Sequence, residues 1–334
     1  IHNNGGSTYF QSGTHTLTGG EITGPNFTYA NGGTVIVNGD VGSYQGAALG
    51  GFGLSGGTVV GTHTISSDRG YLSNGSIGGD VKVRFTGESR KYGSSTLNMT
   101  SGMLINDGHL NNEANGYIDL DAASGLGGGA ILNRGLWELE GKTVHYNTHG
   151  EGRMVNEGIF RSLGGSSTLN QNFENTGSLE VNAGTIYLRG GSTHTGSVIA
   201  NGGVSFANGT HMMEGPGGRL GGASWVYGTL GIRNGARLAP GNSTGTIHVA
   251  GALNFSAPDS TPLVVIEIAG TNDHDVVALE NSGSLSLGNG VAGLQIVLGY
   301  EPVIGDRFRI VDAGASNGSF SGRFMGLPND GPQV

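Results

Sequence analysis

Apolar and polar residues alternate along many short stretches of this chain, and a glycine stands at the start of most of them. In the stretch NRGLWELE, Trp137 and Leu139 alternate with Glu138 and Glu140. A period of two places successive side chains on opposite faces of a β-strand, so each stretch predicts a strand with one buried face. Helical periodicity is nearly missing, and we predict no helix.

The alternating stretches recur at a nearly constant interval in the middle of the chain. Glycines close behind an asparagine or a threonine mark the interval, in steps of 19, 23, 19 and 19 residues: Gly116, Gly135, Gly158, Gly177 and Gly196. An apolar residue stands two positions after each of them: Ile118, Trp137, Phe160, Leu179 and Val198. Recurrence every ~20 residues is the signature of a solenoid, whose turns bury their apolar faces against one another. We therefore predict an all-β fold, a right-handed parallel β-helix that forms a single elongated domain.

The regularity of this pattern changes along the chain. Residues 1–100 predict looser turns with a Gly-rich loop at 42–57, and residues 101–227 predict regular turns of about 19–23 residues. Residues 228–334 hold longer strands rich in valine and isoleucine. We expect all three parts to be continuous.

Composition narrows the class of protein. Glycine supplies 68 of 334 residues without a Gly-X-Y period, which excludes collagen, and apolar residues make up 35%, which argues against disorder. The net charge of −9 and the lack of a basic stripe argue against nucleic acid as a partner. No apolar run approaches the ~20 residues of a membrane-spanning helix. The low charge and the scarcity of exposed aromatic residues argue against a deep sugar-binding cleft.

Three stretches carry a resemblance to a known group of proteins. LAPGNSTGTIHVAGALNF, at residues 238–255, and the strand series that begins DVVALENSGSLSLGNG, at residue 275, resemble the C-terminal parts of bacterial autotransporter passenger domains. SLEVNAGTIYLRGGSTHTGSVIANGG, at residues 178–203, is similar to the degenerate repeats of secreted bacterial β-helix proteins. The resemblance implies a secreted or cell-surface β-helix, and it implies little about activity. The absence of cysteine is compatible with an extracellular location, because a long continuous core can replace disulfides.

Histidine recurs in a short motif that raises the question of a metal site. GTHT occurs at Gly13 and again at Gly61. In both copies the histidine shares a strand face with an apolar residue two positions later, which favours a half-buried structural histidine near a turn. Two pairs of histidines are near enough in sequence to be weighed as metal ligands: His145 with His149, and His194 with His211.

Carboxylates form the sharpest cluster of candidate chemistry. If the glycine anchors are equivalent, four acidic residues stack on adjacent turns: Asp119, Asp121, Glu138 and Glu140. Such a patch would suit calcium, which prefers oxygen ligands, or acid–base catalysis on a polysaccharide. A solvated acidic face, partly offset by Arg161 on the next turn, is the alternative. Asp273 and Asp275 are a further calcium candidate, although a turn capped by their side chains explains them equally well.

These observations favour a structural or adhesive β-helix rod at a bacterial cell surface. Its expected partners are a glycan, the extracellular matrix or another cell. A polysaccharide-active enzyme or tailspike-like fibre, with the four carboxylates as catalytic candidates, is one alternative. A self-assembling surface rod is another, because an uncapped terminal turn leaves unpaired strand edges.

Overall fold

The computed structural model describes the chain except for residues 2–4, 25, 43–50, 114, 121–124, 126, 242, 314–317 and 327–334, and it leaves out the side chain of Asn289. The chain divides into two compact units, Ile1–Phe173 and Glu174–Val334. Every regular element among the described residues is a β-strand. The predicted all-β parallel β-solenoid is therefore confirmed.

In unit 1, successive strands of the chain belong to three walls in rotation. Each strand pairs in parallel with the strand of the same wall one turn earlier. The first wall consists of β1 (Thr8–Phe10), β3 (Thr28–Ala30), β5 (Phe52–Leu54), β8 (Gly70–Leu72), β11 (Glu88–Lys91), β14 (His109–Asn112), β17 (Leu136–Glu140) and β20 (Ile159–Gly164).

The second and third walls of unit 1 share two long strands, β2 (Thr14–Glu21) and β4 (Thr34–Gly42). The second wall continues with β6 (Thr58–Gly61), β9 (Gly75–Ile77), β12 (Thr96–Met99), β15 (Tyr117–Asp119), β18 (Val144–Tyr146) and β21 (Ser166–Leu169). The third wall continues with β7 (Thr64–Ser67), β10 (Lys82–Phe85), β13 (Met103–Asn106), β16 (Ala130–Asn133) and β19 (Arg153–Asn156). The next strand, β22 (Asn172–Asn175), spans the division between the units.

Unit 2 repeats this three-walled plan. Its first wall holds β23 (Ser178–Val181), β26 (Ser197–Ala200), β29 (Arg219–Gly222), β31 (Arg237–Pro240), β34 (Leu263–Gly270) and the end of β37 (Ser284–Leu298). Its second wall holds β24 (Thr185–Leu188), β27 (Gly203–Phe206), the start of β30 (Trp225–Arg233), β32 (Thr246–Val249), β36 (Val276–Leu279) and β38 (Val311–Asp312). Its third wall holds β25 (Ser192–His194), β28 (His211–Glu214), the end of β30, β33 (Ala252–Ser256), the start of β37 and β39 (Ser319–Phe324). The short β35 (Asp273–His274) pairs antiparallel with β34.

The interior of unit 1 is built from the apolar half of the alternating pattern. Leu110, Trp137 and Phe160 lie in register on successive strands of the first wall, and all three side chains are fully buried. Such in-register columns join the apolar faces of neighbouring turns into one core, as the predicted period of two requires. The prediction that Trp137 and Phe160 occupy equivalent positions is confirmed.

A ladder of buried asparagines marks one corner of unit 1. Asn106 Nδ2 donates to Asn133 Oδ1 at 2.7 Å, and Asn133 Nδ2 donates to Asn156 Oδ1 at 2.6 Å. Asn106 and Asn133 also donate to main-chain carbonyls of the following turn, at Leu136 and Ile159. These bonds pair the buried amide Nδ2 groups of Asn106 and Asn133 and fix the register of each turn on the next.

This corner corrects one of the sequence anchors. Asn-x-Gly triplets that begin at Asn106, Asn133 and Asn156 precede β14, β17 and β20 of the first wall, and these three asparagines form the ladder. Gly116 precedes β15 of the second wall instead, so its equivalence to Gly135 was wrong. The error arose because every corner uses asparagine or glycine, and Asn115 itself adopts a left-handed φ of 66°.

The predicted Gly-rich loop at 42–57 is only partly a loop. Phe52–Leu54 forms β5, a strand of the first wall, and its three residues are buried. Residues 43–50 lie outside the described part of the chain.

Candidate functional site

The structure separates the predicted carboxylate cluster. Asp119 lies on the second wall, in register with Asn98 and Tyr146. Glu138 lies on the first wall, in register with Asn111 and Arg161. The predicted stacking of Asp119 on Glu138 is therefore wrong, because it depended on the incorrect anchor at Gly116. Asp121 lies outside the described residues.

Glu138 belongs instead to a line of ion pairs on the outer face of the first wall. Its Oε1 accepts a hydrogen bond from Arg161 Nη1 at 3.1 Å, and its Oε2 lies 2.9 Å from His109 Nε2. His109 Nδ1 lies 3.2 Å from Glu88 Oε2. The offset of the acidic charge by Arg161, weighed in the sequence, is confirmed.

The remaining members of the carboxylate cluster are also engaged. Glu140 Oε1 accepts from Asn111 Nδ2, and Asp119 Oδ2 accepts from Thr148 Oγ1 at 2.6 Å. Each of these carboxylates accepts a hydrogen bond from a neighbouring side chain, as is typical of a polar outer face. A catalytic or calcium-binding role for them stays a prediction.

The histidines His145 and His149 lie in different environments. His145 is fully buried beside Trp137, with ring centroids 5.9 Å apart, whereas His149 is exposed. Burial, together with the positive charge of Lys91, lowers the pKa of His145 to about 3. A neutral imidazole packed among aromatic rings is a core residue.

The structure does bring His194 and His211 together on adjacent turns of unit 2. Ser192 Oγ lies 2.8 Å from His211 Nδ1 and 2.9 Å from His194 Nε2, and all three side chains are buried. Burial, and next the charge of His211, lowers the pKa of His194 to about 3. Because the Ser192 hydroxyl lies within hydrogen-bond distance of both imidazoles, the three side chains form one buried hydrogen-bonded group.

The aspartates Asp273 and Asp275 act as turn caps. Asp275 is buried and accepts main-chain hydrogen bonds from Gly245 and Glu267, both at 2.8 Å. Burial raises the pKa of Asp275 despite these two donors. Asp273 is exposed and accepts from Thr244 Oγ1. In the described part of the chain, no three histidine or acidic side chains are grouped as a metal site would require.

The two GTHT copies are local turn features at positions that are not equivalent. His15 is within β2, where its Nε2 lies 2.8 Å from the carbonyl oxygen of Ser12. His63 lies in the turn between β6 and β7, where its Nδ1 is 3.0 Å from Thr62 Oγ1. The half-buried, hydrogen-bonded histidine expected from the sequence is confirmed for His15.

A feature not anticipated from the sequence lies on the outer face of the first wall of unit 1. Exposed aromatic residues are few, yet five partly or fully exposed rings gather there. They form what we call the aromatic strip: Tyr9 on β1, Phe27 and Tyr29 at β3, Tyr71 on β8, and Tyr92 directly after β11.

Two glycines make room for the rings of the strip: Gly53 on β5, and Gly51 directly before that strand. A Cβ atom at Gly53 would overlap the ring of Tyr29, and a Cβ atom at Gly51 would overlap the ring of Phe27. Both rings therefore lie across the bare main chain of the next turn. The Tyr9 ring stacks on the Tyr29 ring at an interplanar angle of 9°, whereas Tyr29 and Tyr71 meet edge to face at 83°.

Because the Tyr29 ring leans over Gly53, the strip is continuous along the direction in which the strands stack. Tyr29 and Tyr71 belong to strands two turns apart, a separation of roughly 9.6 Å for a strand spacing of ~4.8 Å. Their ring centroids are nevertheless only 6.0 Å apart. Tyr9 lies 5.2 Å from Tyr29 and Tyr92 lies 6.1 Å from Tyr71, so the rings follow one another without a gap.

The electrostatics of the strip are nearly balanced. The guanidinium of Arg69 lies 5.0 Å from the centre of the Phe27 ring, a cation–π contact. Arg90 follows Tyr71 in register, and its Nη1 lies 3.8 Å from Glu113 Oε1. Burial, and next the neighbouring Tyr9, raises the pKa of Tyr29, while burial, and next Tyr92, raises that of Tyr71. The phenols of Tyr29 and Tyr71 therefore stay neutral hydrogen-bonding groups at physiological pH.

These features define a class: a parallel β-solenoid that carries a continuous aromatic strip on one outer wall of unit 1. Comparison of the chain with protein-family models, with curated proteins and with solved structures gave no match. Within the part of the chain that the structure describes, no helix has the length and apolar character needed to cross a membrane.

Proposed function

We propose that this protein is a secreted structural or adhesive β-solenoid of a bacterial cell surface, and that it binds an extended glycan along the aromatic strip. The observation that carries the binding role is the continuous line of rings from Tyr9 to Tyr92, in which Tyr29 leans over Gly53 of β5. The surface location rests on the resemblance of residues 238–255 and the strands after them to secreted β-helix proteins.

The chemistry of the strip favours carbohydrate over other ligands. The face of an aromatic ring is electron-rich and packs well against the polarised C–H groups of a sugar ring, while the phenol hydroxyl bonds to sugar hydroxyls. The strip follows the stacking direction, in which strands repeat every ~4.8 Å, close to the length of one sugar unit in an extended chain. A linear ligand with a repeat of similar length therefore matches the direction and spacing of the strip.

A binding role also suits the state of the acidic residues. Asp119 lies on the second wall, apart from Glu138 and Glu140 on the first wall, and Glu138 is held by His109 and Arg161. Rapid cleavage of a bound chain needs a proton donor and a second carboxylate at a defined separation. We therefore propose binding without cleavage.

The test is binding to a panel of immobilised polysaccharides, among them cellulose, chitin, xylan, mannan, pectate and hyaluronan. Wild type is compared with the double variant Tyr29→Ala/Tyr71→Ala. Tyr146→Ala serves as the matched control, because Tyr146 is an exposed tyrosine of unit 1 on the second wall. We expect the double variant to lose retention and the control to keep it, with chain size unchanged in every sample.

Two results would overturn the proposal. One is that no polysaccharide of the panel retains the wild-type protein. The other is equal retention of wild type and the double variant, which would place binding elsewhere. Far-ultraviolet circular dichroism of each variant confirms that the solenoid is still folded.

A further inference from the structure

The aromatic strip offers little uncompensated positive charge to a ligand. Arg90 lies near Glu113, and the guanidinium of Arg69 is stacked over Phe27. Glu88 projects from the same strand and the same face as Arg90, and its side chain is 79% exposed. A polyanion requires a surplus of cationic groups, and here acidic side chains flank the cationic ones within a chain whose net charge is −9.

The length of the strip sets the length of its ligand. The rings run from β1 to β11 through β3, β5 and β8 of one wall, which is four strand steps or roughly 19 Å at ~4.8 Å per step. Tyr9, Tyr29, Gly53 and Tyr71 lie in register on the first four of these strands, and Tyr92 follows diagonally beside Arg90, the residue in register with Tyr71. Such a row matches a chain that runs along the stacking direction and covers several rings at once.

We infer that the ligand of the aromatic strip is an uncharged, linear glycan that occupies it with about four sugar units, one for each strand step of ~4.8 Å. This inference rests on the proposed glycan-binding function and specifies its ligand class. Each added sugar reaches one more ring until the strip is filled. Because no ion pair with the ligand is involved, binding is insensitive to salt.

The experiment is isothermal titration calorimetry of the full chain with ligands of defined length and charge. Neutral probes are cello-oligosaccharides and chito-oligosaccharides of two to seven units. Acidic probes are oligogalacturonates of the same lengths and a heparin hexasaccharide. Each titration is run at low and at high sodium chloride concentration, with wild type, Tyr29→Ala and Arg90→Gln.

We expect one neutral series to bind with an affinity that rises up to about four units and then levels off, following the four strand steps of ~4.8 Å. Tyr29→Ala weakens that binding at least tenfold, whereas Arg90→Gln and high salt change it less than twofold. Acidic probes of equal length bind at least tenfold more weakly.

The alternative outcomes separate this inference from the proposed function. Tighter binding of an acidic series that falls with salt, with Arg90→Gln and with Tyr29→Ala would overturn the neutral ligand class and leave glycan binding in place. An affinity that already levels off at two units would overturn the ligand length. Binding of neither series, or binding that ignores Tyr29→Ala, would overturn the proposed function as well.

Discussion

The ring of Tyr29 lies over the main chain of Gly53, in the space that a Cβ atom at residue 53 would occupy. The two residues are in register on adjacent strands of the first wall, so the ring leans across its own pleat onto the next turn. This lean brings Tyr29 within 6.0 Å of Tyr71. A missing side chain on β5 is thus what makes the aromatic strip continuous.

Replacement of Gly53 by alanine should break the strip without damaging the fold. The new methyl group displaces the Tyr29 ring, and we expect glycan affinity to fall about tenfold, equal to ~1.4 kcal/mol. Gly53 has no left-handed φ, and alanine in a strand is favoured over glycine by roughly 0.5–1 kcal/mol. Thermal stability should therefore stay equal or rise slightly, as measured by circular dichroism alongside calorimetric titration.

Gly164→Ala is the control for this substitution. Gly164 lies on β20 of the same wall, and a Cβ atom there meets nothing within 4 Å. We expect this variant to bind as wild type does. Undiminished binding by Gly53→Ala would show that the tilt of Tyr29 plays no part in recognition.

The aromatic strip could not be predicted from one sequence, although the alternating pattern predicts correctly that its tyrosines point outward. The alternation in TYF and GYL already points Tyr9 and Tyr71 outward. Their placement in one row depends on the register between turns, and the turns of the first wall differ in length. The Asn-x-Gly triplets at Asn106, Asn133 and Asn156 mark the starts of β14, β17 and β20, but no such triplet directly precedes β3, β5, β8 or β11.

The asparagine ladder should be a strong determinant of stability in unit 1. Asn133 accepts from Asn106 and donates to both Asn156 and the Ile159 carbonyl, all in the interior. Asn133→Ala leaves buried partners without a hydrogen bond, at a cost of about 1–3 kcal/mol for each group left unpaired. We expect urea unfolding to begin at clearly lower concentration.

Asn172→Ala provides the comparison for the ladder, because Asn172 is an exposed strand residue. Its effect should stay within about 0.5 kcal/mol, as for most surface substitutions. Equal effects of the two variants would mean that the ladder contributes nothing beyond an ordinary polar side chain.

The corner that holds the asparagine ladder shows which equivalences between turns the glycine spacing predicts correctly. From Trp137 onward, the apolar residue two positions after each glycine does occupy an equivalent place, since Trp137 pairs with Phe160 and Leu179 with Val198. The step before Asn133 is 27 residues, longer than the expected interval, and this led to the wrong choice of Gly116 over Gly108. Insertions at another corner lengthen a turn without disturbing its wall, so spacing alone is a poor guide to equivalence.

A glycine is required next to the ladder because the turns approach closely there. A Cβ atom at Gly135 would overlap the carbonyl oxygen of Gly108, a main-chain atom that cannot move aside. We expect Gly135→Ala to destabilise unit 1 by about 1–3 kcal/mol, as overpacked interiors do. Gly164→Ala again serves as the control, and a thermal midpoint equal to that of the control would contradict the close approach.

Acid should weaken unit 1 through His145. The pKa of this buried imidazole is about 3 in the folded protein, whereas an unfolded histidine has a pKa near 6.5. Between these values the unfolded chain binds the extra proton, so the stabilisation is fully present above pH ~6.5 and declines as the pH falls, by up to about 1.4 kcal/mol per pH unit. Urea unfolding at pH 7.5, 6.5, 5.5 and 4.5 measures this slope.

Replacement of His145 by glutamine separates its contribution to the pH dependence of stability from that of the carboxylates, because the carboxylates titrate in wild type and variant alike. The chain has two tryptophans, so Trp225→Phe leaves Trp137, 5.9 Å from His145, as the fluorescent reporter of unit 1. In that background we expect His145→Gln to reduce the slope between pH 6.5 and 4.5 by nearly one proton. Identical slopes with and without His145 would mean that the buried imidazole gains its proton equally in the folded and unfolded chain, contrary to its complete burial.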